Sequence, residues 1–288
     1  MPMSVKPSSS KNLSARILFH IFIPWLFTLP IAAQDSGNFF NQSQARAAAT
    51  QAEQPHWVTP LFTTTPRLEQ ELRYDFLWPE TSDGTRMMNI GGGKGLEFIP
   101  YDRIQITFNP PPYLIHNSAT ARDGLADVAF LMKYRILSRN EKKGNYILTF
   151  FLGGSLPTGS YKNGAADASI TPTIAAGKGW GDFDVQSTFG ANLPVKNSVA
   201  AGQPILWNTA VKYKIFKRIS PEVEVNSTFF PNGPNQGKKQ AFLSPGILFG
   251  RFPIHNRMAF TFGAGIQIAT THYHTTNHNV ILSMRMPF

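Results

Sequence analysis

The sequence of 288 residues contains no cysteine. Disulfide frameworks, cysteine-ligated zinc or iron–sulfur sites, thiol nucleophiles and lipoprotein anchors are therefore excluded. Charge is also scarce, since 15% of the residues are charged, against roughly 25% in a soluble domain. The mean hydropathy is −0.17, and apolar runs of the roughly 20 residues that a spanning helix needs do not recur. A polytopic helical membrane protein is thus excluded as well.

Phenylalanine and glycine, in contrast, are abundant, with 23 of each. The length suits one large domain, because a single all-β barrel commonly runs to roughly 250 residues. The combination of many aromatic residues, many glycines and few charges is the feature that a fold must explain.

The first 33 residues have the pattern of a secretory signal peptide. Positions 1–16 carry basic residues and no acidic one, positions 17–33 are apolar and broken by prolines, and the stretch ends on two alanines. A basic head, an apolar middle and a small-residue end define such signals. We predict cleavage after Ala33; the alternative, a retained inner-membrane anchor, is disfavoured by the prolines and the short run.

Residues 34–66 show no sustained hydrophobic period. We expect an N-terminal periplasmic arm, in which the alanine-rich stretch 44–53 can form a short helix. The same residues could instead fold into a pore as a plug, and the sequence leaves this alternative open.

From Arg67 to the end of the chain, apolar and polar residues alternate with a period of two. Residues 67–78 place leucine and aromatic side chains on one face and five charged residues on the other. Because successive side chains of a strand point to opposite faces, this pattern predicts a strand with one apolar and one charged face. The predicted strands number 12 and lie at 67–78, 86–99, 103–108, 127–136, 145–156, 168–177, 182–193, 205–215, 222–229, 240–250, 258–268 and 279–288.

The direction of the apolar face follows from the number of strands. An eight-stranded barrel can fill its interior with side chains, but a larger one encloses a wider lumen. Twelve strands with inward phenylalanine and methionine would surround a large dry cavity, whereas outward they meet lipid tails. The sequence therefore predicts an all-β fold: a 12-stranded antiparallel transmembrane β-barrel of the outer-membrane type over residues 67–288.

The connections support this prediction. Long or Pro-, Gly- and Asn-rich loops, such as 110–124 and 157–167, alternate with shorter turns, such as 177–181 and 217–220. Long loops on one side and tight turns on the other are typical of bacterial outer-membrane barrels. The last strand is apolar at alternate positions and ends on Phe288, which we interpret as a signal read by the barrel-assembly machinery.

Three stretches carry a resemblance to a known family: GLADVAFLMKYRIL (124–137), GNYILTFFLGGSLPTGS (144–160) and TPTIAAGKGWGDFDVQSTFGANLP (171–194). They resemble the outer-membrane transporter-like family associated with the meta-pathway of phenol degradation, and the likeness covers most of residues 66–288. The resemblance implies a barrel that passes small, often aromatic or hydrophobic, compounds. It implies no residue-level transport site.

Two glycine-rich strings, Gly91–Gly95 and Gly177–Gly181, invite comparison with phosphate-binding loops. Neither has the G-x-x-x-x-G-K-[ST] spacing and no helix is predicted to follow, so we expect turns and strand bends. Basic residues are not clustered with aromatics along a groove, and nucleic-acid binding has no support.

Two further motifs fall short of a reactive site. His272 and His274 share a strand face, so a surface copper or zinc site would be geometrically feasible; the sequence places no carboxylate near them, and a polar extracellular loop is the simpler interpretation. Ser155 stands in GGSLP, where Pro157 replaces the last glycine of a nucleophile elbow. We therefore expect neither a metal, nor a cofactor, nor an enzyme.

The charged residues on the inward face form the main candidate set. They carry both signs and could form a salt-bridged plug or line a weakly selective polar pore, although purely structural pairing is an equal alternative. These lumen-lining candidates are Arg67, Glu69, Glu71, Arg73, Asp75, Asp182, Asp184, Lys212, Lys214, Glu222, Glu224 and Arg285.

The sequence thus predicts an outer-membrane channel for passive passage of small, aromatic or hydrophobic, molecules. Its expected partners are outer-membrane lipid, the barrel-assembly machinery and a small-molecule substrate. The alternative is a non-conducting structural or adhesive barrel whose extracellular loops are the functional surface.

Overall fold

The computed structural model describes residues 36–196, 198–255 and 258–288. The predicted signal peptide lies outside these residues. The chain divides into two compact units, Met1–Phe40 and Asn41–Phe288, and the barrel belongs to the second. No helix in the described ranges is both long and apolar enough to cross a membrane.

The described part of the chain forms 15 strands and two α-helices. The helices are α1 (Ser36–Ala52) and α2 (Ser198–Ala201). The strands are β1 (Glu71–Thr81), β2 (Met87–Tyr101), β3 (Ile104–Asn109), β4 (Tyr113–His116), β5 (Gly124–Leu125), β6 (Val128–Arg139), β7 (Tyr146–Leu156), β8 (Ser169–Trp180), β9 (Phe183–Ala191), β10 (Leu193–Pro194), β11 (Ile205–Tyr213), β12 (Ile219–Phe229), β13 (Lys239–His255), β14 (Met258–Ala269) and β15 (Thr276–Pro287).

Twelve strand positions close into one antiparallel barrel. Each of the three shortest strands continues a longer one. Strand β4 continues β3, since both pair with β2. Strand β5 continues β6, since they pair with β4 and β3, and β10 continues β9, since both pair with β8. The barrel closes because β1 pairs with β15 on one side and with β2 on the other. The predicted number of strands and their antiparallel order are confirmed.

Two predicted boundaries differ from the structure. The first strand begins at Glu71 instead of Arg67, because residues 67–70 are buried inside the barrel and pair with no strand in the described structure. The predicted loop 110–124 contains β4 and the first residue of β5, which resume the pairing after three prolines that lack an N–H donor.

The barrel wall has the predicted two faces. Outward residues such as Leu72, Tyr74, Phe130, Met132 and Leu282 are exposed. Many inward residues of the same strands are buried polar or charged side chains, as Glu71, Arg73 and Asp75 of β1 show. Side chains that no water-soluble protein would expose together thus form a continuous apolar outer surface.

The glycine-rich string Gly91–Gly95 lies within β2. Gly91, Gly93 and Gly95 have φ angles of 84°, 113° and 62°, which only glycine adopts without strain. The register between β1 and β2 shifts at the same level. The expectation of a strand bend is therefore confirmed here.

Candidate functional site: a segment inside the barrel

Residues 57–70, here called the inner segment, run through the barrel in front of β1. Nearly all of them are buried, although they form neither helix nor strand. An extended chain in a lumen leaves its own N–H and C=O groups without ladder partners, and buried backbone groups must find partners elsewhere.

Two carboxylates of β12 accept hydrogen bonds from the amides of the inner segment. The N–H of Leu61 donates to Glu222 Oε1 at 2.9 Å. The N–H groups of Phe62 and Thr63 donate to the two oxygens of Glu224 at 2.8 and 2.5 Å. Successive amides are thus held by acids that stand side by side on the wall.

Three cations of the wall bind carbonyl groups of the same segment. Arg73 donates to the carbonyl of Pro60 at 3.2 Å, and Arg285 donates to it at 2.9 Å. Lys212 donates to the carbonyl of Val58. Charge-assisted hydrogen bonds are stronger than neutral ones, so acids and bases of the wall replace the missing strand ladder.

Glycines on the wall make room for the side chains of the inner segment. A Cβ atom on Gly177 would lie 2.5 Å from the ring of Trp57, and one on Gly246 or Gly263 would lie 2.6 Å from Leu61. The inward glycines therefore form recesses, and Gly177, which we expected in a turn, lies on the inner face of β8.

An apolar cluster surrounds Leu61 within the lumen. It contains Leu61, Leu248 and Ile281, with Val58, Phe62 and Leu77 packed against it. The inner wall is thus not wholly polar, and alternation alone does not reveal this, since Leu248 and Ile281 lie in apolar runs that show no alternation.

The inner segment separates two cavities. The cavity toward the long loops has a volume of 430 Å³ and is lined by Leu61, Phe62, Thr64, the pair Arg73–Asp75 and the inner faces of several strands. The cavity toward the short turns has a volume of 330 Å³ and is lined by residues 56–59 and many cations. Both are large enough for a small ligand.

The candidate charged residues lie on the inner wall of the barrel, in the inner segment, or outside the lumen. Within the lumen, ion pairs join Arg67 to Glu69 at 2.9 Å, Arg73 to Asp75 at 2.8 Å and Lys212 to Asp184 at 3.4 Å. Glu71, Glu222, Glu224 and Arg285 are buried there too. Arg67 and Glu69 belong to the inner segment instead of a strand.

Asp182 and Lys214 do not lie in the lumen. Asp182 is exposed in the turn between β8 and β9, and its carbonyl accepts a hydrogen bond from the N–H of Lys214. Lys214 is exposed just beyond β11, at the rim of the smaller cavity. In the sequence, the alternation of polar and apolar residues continues past the ends of the strands into the turns. The barrel wall ends with the strands, so these two residues lie outside the lumen.

The candidate list omitted two cations that the structure places against the N-terminal region. Lys133 donates to the carbonyl of Arg67 at 3.0 Å. Arg135 donates to the carbonyl of Thr50 at 2.7 Å and pairs with Glu53 at 3.0 Å. Both residues lie on the polar face of the predicted strand 127–136, and this position could have identified them as lumen-lining candidates.

The other candidate motifs occupy ordinary surroundings. His272 is exposed, and the ring of His274 contacts the carbonyl of Thr271 and the amide of Asn277. Among the described residues no group of three or more histidine or acidic side chains could hold a metal ion. The hydroxyl of Ser155 lies 3.0 Å from that of Ser169.

Comparison with known proteins places the chain in a family. The family model described as "Putative MetA-pathway of phenol degradation" matches residues 89–275. The chain belongs to this family. The resemblance predicted from the sequence is therefore confirmed.

One solved structure shows the same fold. A crystal structure of an outer membrane channel from Pseudomonas putida F1 matches with a TM-score of 0.53 and 13% identity, over 76% of this chain and 94% of that one. Salmonella typhi OmpF in complex with daunomycin matches with a TM-score of 0.35 and 10% identity, over 76% and 96%. No curated protein matches. The first likeness confirms the outer-membrane type of barrel.

Proposed function

We propose that this protein is an outer-membrane channel for passive passage of small molecules, aromatic or hydrophobic ones included. The long loops would then be extracellular and the short turns periplasmic. The observation that carries the proposal is the 430 Å³ cavity in the lumen of a closed barrel, with Leu61, Phe62, Leu77 and Ile281 exposed to it beside polar groups. Such a mixed lining suits a solute with an apolar body and a polar group.

The inner segment is, in this proposal, the constriction of the channel. It occupies the lumen between the two cavities, and much of its attachment to the wall consists of hydrogen bonds that water can replace. Passage to the periplasm then requires the segment to shift, which makes conduction slow and selective by size.

Liposome swelling with phenol, benzoate and sugars tests the proposal. Because the chain has no cysteine, a pair can be introduced as Thr63→Cys and Asn226→Cys to fix the segment to β12. In the unaltered protein the side chain of Asn226 reaches that of Thr63, with Nδ2 and Oγ1 3.4 Å apart. Oxidised protein should admit aromatic solutes more slowly than reduced protein, with the single variant Thr63→Cys as the control. Equal rates in both states would contradict the role of the segment, and no swelling in any state would contradict the channel.

The second candidate is a non-conducting barrel that acts through its extracellular loops. The occupied lumen favours it, since a filled barrel is a rigid support for loops. Single-channel recording separates the two functions: discrete current steps support the channel, and their absence at all voltages supports the structural barrel.

A further inference from the structure

The smaller cavity carries a strong excess of positive charge. Six cations line it: Arg67, Lys214, Lys217, Arg218, Arg251 and Arg285. The acids in its lining are Glu69 and Glu71, so the cavity carries a formal excess of four positive charges. The low-dielectric wall of a barrel focuses such a field into the cavity.

The cations at the rim lack acidic partners. Lys214, Lys217, Arg218 and Arg251 are exposed at the ends of β11 to β13, and none has a carboxylate within ion-pair distance among the described residues. In contrast, the acid Glu69 is already paired with Arg67 at 2.9 Å. The excess charge at this mouth is therefore not neutralised by ion pairs among the described residues.

A buried guanidinium adds a second, independent observation. Arg67 is 1% exposed, and its Nη1 contacts the carbonyl of Trp57 and the carboxylate of Glu69. Its Nε and Nη2 have no hydrogen-bond partner in the described structure. These two nitrogens form the edge of the guanidinium that binds two oxygens of one carboxylate or phosphate side by side. A buried donor pair without acceptors is costly unless a ligand supplies them.

The cavity also offers apolar contact. Trp57 and Val58 line it beside the cations, and its volume of 330 Å³ exceeds the needs of a simple ion. Glu71 is buried in the same lining, and one oxygen of its carboxyl group has no hydrogen-bond partner among the described residues. Negative charge on a ligand is therefore disfavoured next to Glu71.

We propose that this cavity is a binding site for a small organic oxyanion, with Arg67 as the buried anchor and the rim cations as the attracting field. The carboxylate or phosphate group lies toward Arg67, and the rest of the molecule contacts Trp57 and Val58. The site lies on the short-turn side of the inner segment, apart from the cavity that carries the proposed channel function.

Titration calorimetry on the full chain in dodecyl maltoside tests this site with sodium benzoate, inorganic phosphate and neutral benzyl alcohol. We expect benzoate or phosphate to bind, benzyl alcohol to bind at least about tenfold more weakly, and binding to weaken as NaCl rises, since exposed charges are screened. Tighter binding of benzoate than of phosphate would show that the site recognises a carboxylate together with an apolar body. Tighter binding of phosphate would show that it recognises the oxyanion group alone. Oxyanions that bind no more tightly than benzyl alcohol would overturn the proposal.

Matched variants locate the site. The double variant Lys217→Gln/Arg251→Gln should weaken binding about fivefold, whereas Lys142→Gln/Lys143→Gln, which removes two exposed charges from another short turn, should leave it unchanged. Arg67→Gln should abolish it, provided that the variant keeps its heat-shifted mobility in SDS. Equal effects of the two double variants would show a diffuse field and contradict the site. The measurement involves no transport, so its failure and that of the channel are distinguishable.

Discussion

At the scale of single residues, charged side chains replace a missing strand. Glu222, Glu224, Arg73, Arg285 and Lys212 bind successive amides and carbonyls of the inner segment. A charge buried without a partner is strongly unfavourable. The wall and the inner segment therefore depend on each other. The backbone of the segment provides hydrogen-bond partners for the buried charges of the wall, and these charges provide partners for the backbone of the segment.

Replacing Glu224 by glutamine tests this dependence. The amide offers one oxygen where the carboxylate offers two, so the N–H of Phe62 or Thr63 loses its acceptor. Leaving a buried N–H unpaired costs about 1–3 kcal/mol, and we expect faster proteolysis of the segment and faster solute uptake. Glu80→Gln, near the end of β1 and paired with Arg86, is the control. Unchanged cleavage and uptake in Glu224→Gln would argue against the attachment.

The recess for Trp57 gives a second residue-scale prediction. Gly177→Ala places a Cβ 2.5 Å from the indole ring, and overpacking of this kind costs roughly 1–3 kcal/mol. We expect a lower midpoint of thermal unfolding in detergent. Gly153→Ala is matched, because its Cβ would have ordinary contacts at 3.6 Å. A Gly177→Ala protein as stable as Gly153→Ala would mean that the indole does not occupy the recess.

At the scale of elements, the turn between β6 and β7 holds the chain just before the inner segment. The N–H of His56 donates to Glu141 Oε1 at 2.5 Å, and the ring Nδ1 lies 2.9 Å from Oε2. Partial burial raises the pKa of Glu141, but these hydrogen bonds outweigh it and hold that pKa below its ordinary value of 4.5.

This lowered pKa predicts a pH dependence. An acid whose pKa is lower when folded stabilises the structure above its unfolded value, and the contribution is lost as pH falls through the folded value. We expect hydrogen-exchange protection of the His56 amide, relative to the unfolded chain at the same pH, to fall below about pH 4.5. Glu141→Gln should remove this part of the dependence. Protection that stays constant down to pH 3 in the unaltered protein would contradict the prediction.

The strands were predictable from sequence to a large extent, whereas for residues 34–66 the sequence left both an arm and a plug open. Strand positions follow from the period-two alternation, which local sequence carries. Residues 67–70 continue the same alternation, yet they leave the wall, because Arg67 and Glu69 pair with each other inside the lumen. Leu61 and Trp57 gave no signal at all, since their recesses are glycines more than 100 positions away in sequence.

At the scale of the whole molecule, the outer surface requires an apolar medium. Leu282 lies in the middle of β15 and is 47% exposed. Arginine on the lipid face of a barrel costs about 2–4 kcal/mol near the midplane and little near the interface. We expect Leu282→Arg to lower the urea midpoint of protein refolded in lipid vesicles. Thr275→Arg, in the loop before β15, should have no such effect, and equal stability of the two variants would contradict a lipid-facing wall.

The sequence by itself determined that strands with one apolar and one polar face would close into a barrel whose apolar face meets lipid. This follows because side-chain alternation is a local property of the chain and because 12 strands enclose a lumen too wide for inward side chains of the wall to fill. Only the tertiary structure decided what occupies the lumen, which charges pair and which glycines form recesses. These depend on contacts between residues far apart in sequence, such as Leu61 with Glu222 and Arg285 with Pro60. The low overall content of charged residues does not reveal this arrangement. Many of the few charged residues lie inside the barrel, against a segment of the same chain.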